Sequence, residues 1–513
     1  MQLLKTPLLL ASILAFGSSA LSADVTLPNI FGDHMVLQRE QANPVWGKAD
    51  PGEGVIVCID GQRHSTTASD DGTWRVELDA MAASADPKVL QVSGLNNQVS
   101  ISDVLIGEVW ICSGQSNMQW SLSNTYNGAV EIAAANHPQI RLISVPHVGS
   151  QEAQDNFNGA WEPCTPDSAR NFSAVGYLFG SRINRALGVP VGLIDNAWGG
   201  SAAEAWVPRN VLESDGGYTE LLGSWDERVA AYTDEMHATK VAQFQAWKTA
   251  GRPKPNQRAP RDFRSGQHRP ANLFNGVLHP TIGYGMRGVI WYQGESNAQR
   301  AYQYRSLFPL LITTWRELWQ QGDFPFYWVQ LADFMNENTQ PRESWWAELR
   351  EAQSMTLSLP NTGQAVIIDS GEGHDIHPRD KTTVANRLVR LALANDYGYQ
   401  IDSQSPRYHS MQVKDGAIAV TFDHISAQGL TTFDVKYPTG FAIAGEDNVF
   451  VNADAKIIGK NKVLVSSKIV LKPVAVRYAW ADNPVANLQD RNGLPVTPFR
   501  TDDWPASTVN NIK

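Results

Sequence analysis

The sequence predicts an α/β protein in which a parallel sheet flanked by helices lies between two smaller β regions. Between about residues 106 and 400, buried strand patterns alternate with helical patterns, and this alternation is typical of a parallel sheet with helices on its faces. On either side, the chain shows short strand-like runs separated by turn residues. A chain of 513 residues is long enough for several such domains.

The first 23 residues, MQLLKTPLLLASILAFGSSALSA, have the pattern of a secretory signal peptide. Lys5 gives a short basic region, Leu8 to Phe16 an apolar stretch, and residues 18–23 a small-residue cleavage zone. The apolar stretch is shorter than the roughly 20 residues that span a bilayer, and no later run reaches that length. We therefore expect an exported protein, periplasmic or extracellular, with no stable membrane insertion.

The mature chain begins with a predicted β domain at residues 24–105. Apolar and polar residues alternate in VIVCIDG (55–61) and TWRVELDA (73–80), and turn residues such as DDG (70–72) separate the runs. This spacing indicates a small antiparallel, sandwich-like region.

The central domain is predicted at residues 106–400 from the alternation of two periodicities. Strand patterns occur at residues 139–146, 189–198, 286–293, 324–334 and 363–371. Helical patterns occur at residues 172–188, 301–319 and 381–396. Residues 226–249 predict one polar helix, which leads into a Pro- and Arg-rich loop at 251–270. Short strand patterns return at 401–513 and predict a C-terminal β region.

The net charge of −10 argues against a nucleic-acid partner, because phosphates attract clustered Lys and Arg. Three cysteines do not make a disulfide framework in a chain of this size. Either Cys112 pairs with Cys164, or all three, including Cys58, are buried small apolar residues.

Three Gly-x-Ser sequences each follow a predicted strand and end at Ser116, Ser201 and Ser296. Parallel sheets place their sites at the carboxyl ends of strands, so we expect these loops to converge. None continues into Gly-x-Ser-x-Gly, the strained nucleophile turn of the α/β-hydrolases. One Gly-x-Ser alone predicts no more than a helix N-cap, but three at one edge of a sheet indicate a site.

A serine nucleophile needs a histidine and a carboxylate, and GEGHDIHP (371–378) offers both after another predicted strand. Asp375 and His377 are the candidates. A zinc site built on His374 and His377 is the rival, although neither a His-Glu-x-x-His helix nor nearby thiolates accompany them. A solvated polar loop is the third interpretation.

Four blocks in order, GQSNM (114–118), NAWGGSAAEAW (196–206), GVIWYQGESNA (288–298) and DIHPRDK (375–381), resemble SGNH/GDSL-type hydrolases. They are most similar to the bacterial sialate O-acetylesterase family of carbohydrate acetylesterases. LPNIFGDHMVLQR (27–39) and residues 476–500 share the resemblance, which covers essentially the whole mature chain. It implies an SGNH-hydrolase (flavodoxin-like) three-layer α/β/α domain between N-terminal and C-terminal β-sandwich-like regions.

The same resemblance implies the roles of the catalytic residues. Ser116 would be the nucleophile, His377 the general base and Asp375 its orienting carboxylate. The backbone N–H groups of Ser116 and Gly199 would form the oxyanion hole.

The third oxyanion donor is left open by a departure from the family pattern. Where many SGNH enzymes have Gly-x-Asn-Asp, this chain reads Gly294-Glu295-Ser296-Asn297, so either Gln293 or Asn297 would donate. Glu295 would contact a substrate hydroxyl or be a buried carboxylate bonded to loop amides. Trp198 and Trp291 would line a sugar pocket or pack in the core.

These inferences predict a secreted carbohydrate O-acetylesterase, a carboxylic ester hydrolase that needs no metal or organic cofactor. Its partner would be an acetylated carbohydrate, with 9-O-acetylated sialic acid as the first candidate. The alternative substrate is acetylated xylan or another polysaccharide, and the Arg-rich loop favours the anionic sugar because a guanidinium grips a carboxylate. A non-catalytic glycan-binding protein is the alternative of another class, whereas the polar loop argues against a lipase or thioesterase.

Overall fold

The structure is a computed structural model that describes residues 24–513. Its N-terminal strands form one separate two-stranded sheet and an extension of the large central sheet. The predicted signal peptide lies outside the described residues. Strands β2 and β5 form an antiparallel pair, while β3, β4 and β6 form an antiparallel group that β6 joins to β7. The strands are β1 (Val36–Gln38), β2 (Asn43–Lys48), β3 (Gly54–Ile59), β4 (Gln62–Thr67), β5 (Thr73–Leu78), β6 (Ser84–Ser93) and β7 (Gln98–Gly114).

Strand β7 is 17 residues long and belongs to both the N-terminal and the central part of the sheet. Its first half pairs with β6, and Leu105 to Gly107 pair in parallel with β1. Its last seven residues are fully buried and lie between two other parallel strands. The predicted domain boundary at residue 105 therefore falls inside a continuous strand.

The central sheet is mixed and has the strand order β13-β12-β11-β7-β10-β8-β9. All pairs from β13 to β8 are parallel, and β9 is antiparallel at the edge. The direction in which successive strands are added reverses beside β7, where such sheets place their ligand sites. The added strands are β8 (His137–Ser144), β9 (Glu162–Cys164), β10 (Val191–Asp195), β11 (Gly288–Tyr292), β12 (Phe326–Val329) and β13 (Thr362–Ala365).

Helices cover both faces of this sheet because its strands are apolar on both sides. Helices α4 and α10 bury one face against Trp110, Ile290 and Tyr327, and α8 buries the other against Val289 and Trp291. The helices are α1 (Ser116–Gln119), α2 (Gly128–Ala134), α3 (Pro166–Arg170), α4 (Ala174–Leu187), α5 (Arg209–Glu213), α6 (Thr219–Ala230), α7 (Asp234–Thr249), α8 (Ala301–Trp319), α9 (Trp345–Met355) and α10 (Lys381–Asn395).

The single polar helix predicted at 226–249 is two helices, α6 and α7, and that prediction was wrong. Thr233 interrupts it as an N-cap, with extended backbone and a side chain that accepts a hydrogen bond from the Met236 amide at 3.2 Å. A capping hydroxyl at this position starts a new helix, and no residue of α7 is buried.

The C-terminal residues form three small antiparallel sheets around their own apolar core. The strands are β14 (Arg407–Lys414), β15 (Ala417–Asp423), β16 (Leu430–Thr432), β17 (Phe441–Ala444), β18 (Val451–Asn452), β19 (Asp454–Ile457), β20 (Lys462–Ser466), β21 (Ala475–Tyr478), β22 (Leu488–Asp490) and β23 (Phe499–Arg500).

Arg350 of α9 ties this C-terminal region to the central sheet. Its guanidinium is fully buried and donates to the carbonyls of Leu331 and Ala332 after β12, at 2.8 and 2.7 Å. It also donates to the carbonyls of Ala481 and Asp482, at 2.7 and 3.0 Å. One side chain therefore satisfies four carbonyls from two parts of the chain.

Across residues 24–513, no helix is both long and apolar enough to cross a membrane. Cys58, Cys112 and Cys164 are free thiols, so the Cys112–Cys164 pairing is absent from the structure. Cys112 and Cys164 are buried in the apolar core around α4, as the alternative of small apolar residues expects, whereas Cys58 is only partly buried, and for it the expectation was wrong.

Candidate active site

Four loops meet at the carboxyl edge of the central sheet: the three that carry the Gly-x-Ser sequences, as predicted, and the loop that contains His377. The loop after β10 bonds to the end of β7, because the Trp198 amide donates to the Gly114 carbonyl at 3.0 Å. The loop after β11 bonds to the loop after β10, because Ser296 Oγ donates to the Gly200 carbonyl at 2.9 Å. The loop after β13 brings His377 to this same point.

Ser116 is displayed by a glycine turn at the end of β7. Gly114 has a φ of +132°, and a Cβ there would lie 2.2 Å from the carbonyl oxygen of Tyr292 on β11. Only glycine fits this close approach of two backbones. The turn makes Ser116 the first residue of α1 and leaves it partly exposed.

His377 is in hydrogen-bonding contact with Ser116. The distance from Ser116 Oγ to His377 Nε2 is 2.8 Å, within the range for a hydroxyl that donates to an imidazole. On the other side of the ring, Nδ1 lies 3.5 Å from Asp375 Oδ1. The same carboxylate oxygen accepts the His377 amide at 2.9 Å, so Asp375 both faces the imidazole and shapes its loop.

The surroundings of His377 favour its neutral form. Burial lowers the pKa of His377, the cation of Lys381 lowers it further, and Asp375 partly opposes both effects. The ring also stacks on Trp120, with centroids 4.8 Å apart and planes at 15°. A neutral, oriented imidazole that contacts a hydroxyl can act as a general base.

Gly199 lies directly against Ser116. A Cβ on Gly199 would be 3.4 Å from Ser116 Cβ. Its amide donates at 2.7 Å to Oε1 of Gln119, on the same short helix as Ser116. The Gly199 amide is thus bonded to a side-chain oxygen in this structure, and its role as an oxyanion donor stays a prediction. Sequence reasoning missed Gln119, although its spacing of three residues from Ser116 puts the two on one helix face.

The side-chain donors of Gln293 and Asn297 point at protein atoms. Gln293 is fully buried, and its Nε2 donates to the Ser201 carbonyl at 3.1 Å and to Asn297 Oδ1 at 2.7 Å. Asn297 Nδ2 donates to Glu204 Oε2 at 2.9 Å. Both amides brace the loops after β10 and β11, and the third oxyanion donor stays a prediction.

Glu295 is held under the nucleophile turn. Its Oε1 accepts a hydrogen bond from Asn117 Nδ2 at 2.7 Å, and burial raises the pKa of Glu295. Asn117 Oδ1 in turn accepts from the buried Lys381 Nζ at 2.6 Å. Neither partner was singled out from the sequence, although both belong to motif blocks that were.

The two candidate tryptophans occupy different environments. Trp198 is partly buried and stacks on His147, with centroids 4.6 Å apart and planes at 8°. Trp291 is fully buried and packs edge-on against Trp206 and Trp315. Trp198 is thus placed beside the Gly199 loop with part of its ring accessible, whereas Trp291 would have to move to touch a sugar.

Residues 24–513 contain no group of three or more His, Cys, Asp and Glu side chains arranged to hold a metal ion. His377 instead directs one ring nitrogen to Ser116 and the other toward Asp375. The donor set at this loop suits proton transfer to and from a hydroxyl.

The family model described as SASA, "Carbohydrate esterase, sialic acid-specific acetylesterase", matches residues 106–246 and 275–394. The chain belongs to this family. These residues include all four site loops, so this carbohydrate esterase is a carboxylic ester hydrolase.

Relatives of this esterase cover nearly its whole length. Sialate O-acetylesterase of Mus musculus is 30% identical over 91% of this chain and 92% of that protein. The Homo sapiens enzyme of the same name is 30% identical over 93% of each chain. The crystal structure of XAC1771, a carbohydrate acetylesterase from Xanthomonas citri, superposes with a TM-score of 0.80 at 38% identity, covering 94% of this chain and 100% of that one. The predicted sialate O-acetylesterase family is confirmed, and the two relatives of that name are mammalian, whereas the prediction named the bacterial family.

Proposed function

We propose that this esterase removes acetyl groups from sugar hydroxyls, with Ser116 as nucleophile, His377 as general base and Asp375 as orienting carboxylate. The 2.8 Å contact between Ser116 Oγ and His377 Nε2 carries the proposal. A nucleophile and its base must lie within hydrogen-bond reach, and a third group must orient the base.

In the first step, Ser116 Oγ attacks the acetyl carbonyl carbon while its proton passes to His377 Nε2. The carbonyl oxygen becomes an oxyanion that accepts from the amides of Ser116 and Gly199. Because Gln119 Oε1 holds the Gly199 amide at 2.7 Å, the oxyanion must displace that oxygen. His377 then gives the proton to the departing sugar oxygen, and an acetyl-serine ester remains.

In the second step, water attacks the acetyl-serine ester. His377 takes one proton from the water and returns it to Ser116 Oγ as acetic acid leaves, and the acid then ionises to acetate. Stabilising the oxyanion in each step is worth roughly 10²- to 10³-fold in rate for each donor.

The proposed central fold is the SGNH-hydrolase, flavodoxin-like arrangement of three α/β/α layers. Two features support it: the strand order reverses beside β7, and α8 covers the sheet face opposite α4 and α10. The proposed cellular route is export, supported by the signal-peptide pattern of the first 23 residues.

We propose that the substrate is an O-acetylated sialic acid, because the matching family and its mammalian relatives are named for activity on sialic acid. The Arg-rich loop supports this less than its sequence suggests. Arg264 is bound at 2.6 Å to both Asp262 and Asp234, and its charge is compensated. Arg258 and Arg261 are exposed.

A cationic pocket beside the Gly199–Gly200 loop is stronger support for an anionic sugar substrate than the Arg-rich loop is. Its volume is about 260 Å³, and its lining includes Ser296, Glu204 and the cationic side chains of Arg228, Arg300 and Lys513. Arg300 pairs with Glu204. Within residues 24–513, Arg228 has no carboxylate at ion-pairing distance, and its guanidinium lies 4.2 Å above the Phe263 ring. A guanidinium that is fixed in place and has no carboxylate partner can bind the carboxylate of an anionic sugar.

The test measures acetate release from 9-O-acetylated sialic acid and from acetylated xylan, by the wild type, Ser116→Ala and Arg228→Met. We expect the wild type to act on sialate, Ser116→Ala to lose at least about 10³-fold in kcat, and Arg228→Met to raise KM for sialate only. Preference for xylan would select the alternative substrate. Acetate release from neither sugar would show that both proposed substrates are wrong.

A further inference from the structure

A chain of buried polar groups runs beneath the Ser116–His377 pair. Lys381 has no exposed surface, and its Nζ donates to Asn117 Oδ1 at 2.6 Å. Asn117 is 1% exposed, and its Nδ2 donates to Glu295 Oε1 at 2.7 Å. The proposed acyl transfer uses none of these three side chains.

This chain of polar groups connects the two loops that carry the reacting groups. Asn117 follows Ser116 directly, and its Nδ2 also donates at 3.0 Å to the carbonyl of Ile376, the residue before His377. Lys381 Nζ lies 5.9 Å above the ring of Trp120, which stacks on the His377 imidazole. Lys381 is thus joined to His377 through the backbone anchor at Ile376 and through the Trp120 ring.

The buried position of Lys381 at the start of a helix is energetically unfavourable for a lysine side chain. Burying an ammonium costs several kcal/mol unless it is fully paired. Lys381 is also the first residue of α10, a 15-residue helix, and the positive end of a helix dipole disfavours a cation. A methionine would fill the same space without either cost, which indicates a role other than packing.

We propose that Lys381 is a positioning residue for the His377 base, acting through Asn117, and that its charge extends the reaction to lower pH. This inference rests on the proposed roles of Ser116 and His377.

The electrostatics agree with this geometry. Burial lowers the pKa of Lys381 to about 7, and the carboxylates that face it partly oppose this, namely Glu295, Glu372, Asp375 and Asp380. Below neutral pH the ammonium is charged, and it disfavours a second cation on His377. His377 therefore stays neutral at lower pH than it would without the charge of Lys381. Charged or neutral, the amine still donates to Asn117, so the anchor persists while the charge changes.

The experiment is the pH profile of kcat/KM for an aryl acetate with the wild type, Lys381→Met and Lys381→Arg. Lys381→Met removes the charge and the donor at similar length. We expect its kcat/KM to fall about tenfold at neutral pH. The midpoint of the acid limb of its pH profile should move to higher pH by roughly half a unit or more. Lys381→Arg keeps both charge and donor and should return the acid limb toward the wild-type position.

A purely structural role gives a different result. If Lys381→Met loses activity equally at every pH, with the acid limb unmoved, the inference is overturned. If Lys381→Met does not fold by circular dichroism, Lys381→Gln replaces it. That change removes the charge and keeps an N–H donor, so the acid limb should again rise, and an unmoved limb again overturns the inference. Wild-type activity in Ser116→Ala would instead refute the proposed function.

Discussion

Replacing Gly114 by alanine tests how the fold presents the nucleophile. Gly114 ends β7 with a φ of +132°, and an added Cβ would lie 2.2 Å from the Tyr292 carbonyl oxygen and 2.7 Å from its carbon. Ordinary contact begins at 3.4 Å, so β7 and β11 must separate by about 1 Å. The Gln115 amide donates to this same oxygen at 2.8 Å, and that bond must break.

Three contributions give the size of the effect. A non-glycine residue with this φ costs roughly 1–2 kcal/mol in strain. Loss of the buried hydrogen bond adds about 1 kcal/mol, and the overlap of two backbones adds at least about 1 kcal/mol. We expect Gly114→Ala to lower the free energy of unfolding by about 3–4 kcal/mol. Because Ser116 shifts with the turn, kcat should fall on the order of 10²-fold.

Equilibrium urea unfolding, followed by tryptophan fluorescence, measures the stability change, and aryl acetate hydrolysis measures kcat. Gly188→Ala is the matched control. Gly188 has a φ of +66° at the end of α4, and a Cβ added there would have no heavy atom within 4 Å. It should cost only roughly 1 kcal/mol and leave kcat unchanged. Equal losses for the two variants would refute the close-approach argument.

Three further outcomes are expected. The wild-type kcat/KM should fall as the pH is lowered, with a midpoint below pH 6.5. The reason is that the pKa of His377 is lowered and only the neutral imidazole accepts the Ser116 proton. A midpoint above pH 6.5 would contradict this. Asp375→Asn should lower kcat by about 10²-fold or more, with KM nearly unchanged, because an amide no longer stabilises the imidazolium that forms; steady-state kinetics would show it. Arg350→Met should lower stability by about 3 kcal/mol or more in urea unfolding, since four carbonyls, three of them in buried residues, lose their donor, whereas the exposed control Arg258→Met should change little.

Local patterns in the sequence predicted the elements that position the site. Buried apolar runs located the strands β10, β11 and β13, although β13 ends at Ala365, before the predicted end at residue 371. The loops that follow these strands and β7 meet at one edge. Ser116 and His377 are 261 residues apart in the chain. The rule for parallel sheets predicted that their loops would lie at one edge, and the family resemblance was needed to pair the two residues.

The parts that escaped sequence reasoning depend on pairing between distant side chains. Lys381 lies in a helical pattern where a polar residue is expected to face solvent, and only its contact with Asn117 explains its burial. The bonds made by Gln119 and Gln293 are of the same kind, because hydrogen-bond partners are set by tertiary geometry. The break at Thr233 was missed because a polar helix gives no apolar periodicity to interrupt.

The length of β7 limits how this protein can be divided or recombined. A single uninterrupted strand carries pairing with β6 at one end and the Ser116 turn at the other. Cutting or grafting at residue 105 would sever that strand and separate Val36–Gln38 from their partners at Leu105–Gly107. The N-terminal strands and the nucleophile turn therefore form one structural unit. A transplant of the esterase centre into another scaffold has to include residues 36–114 together with that turn.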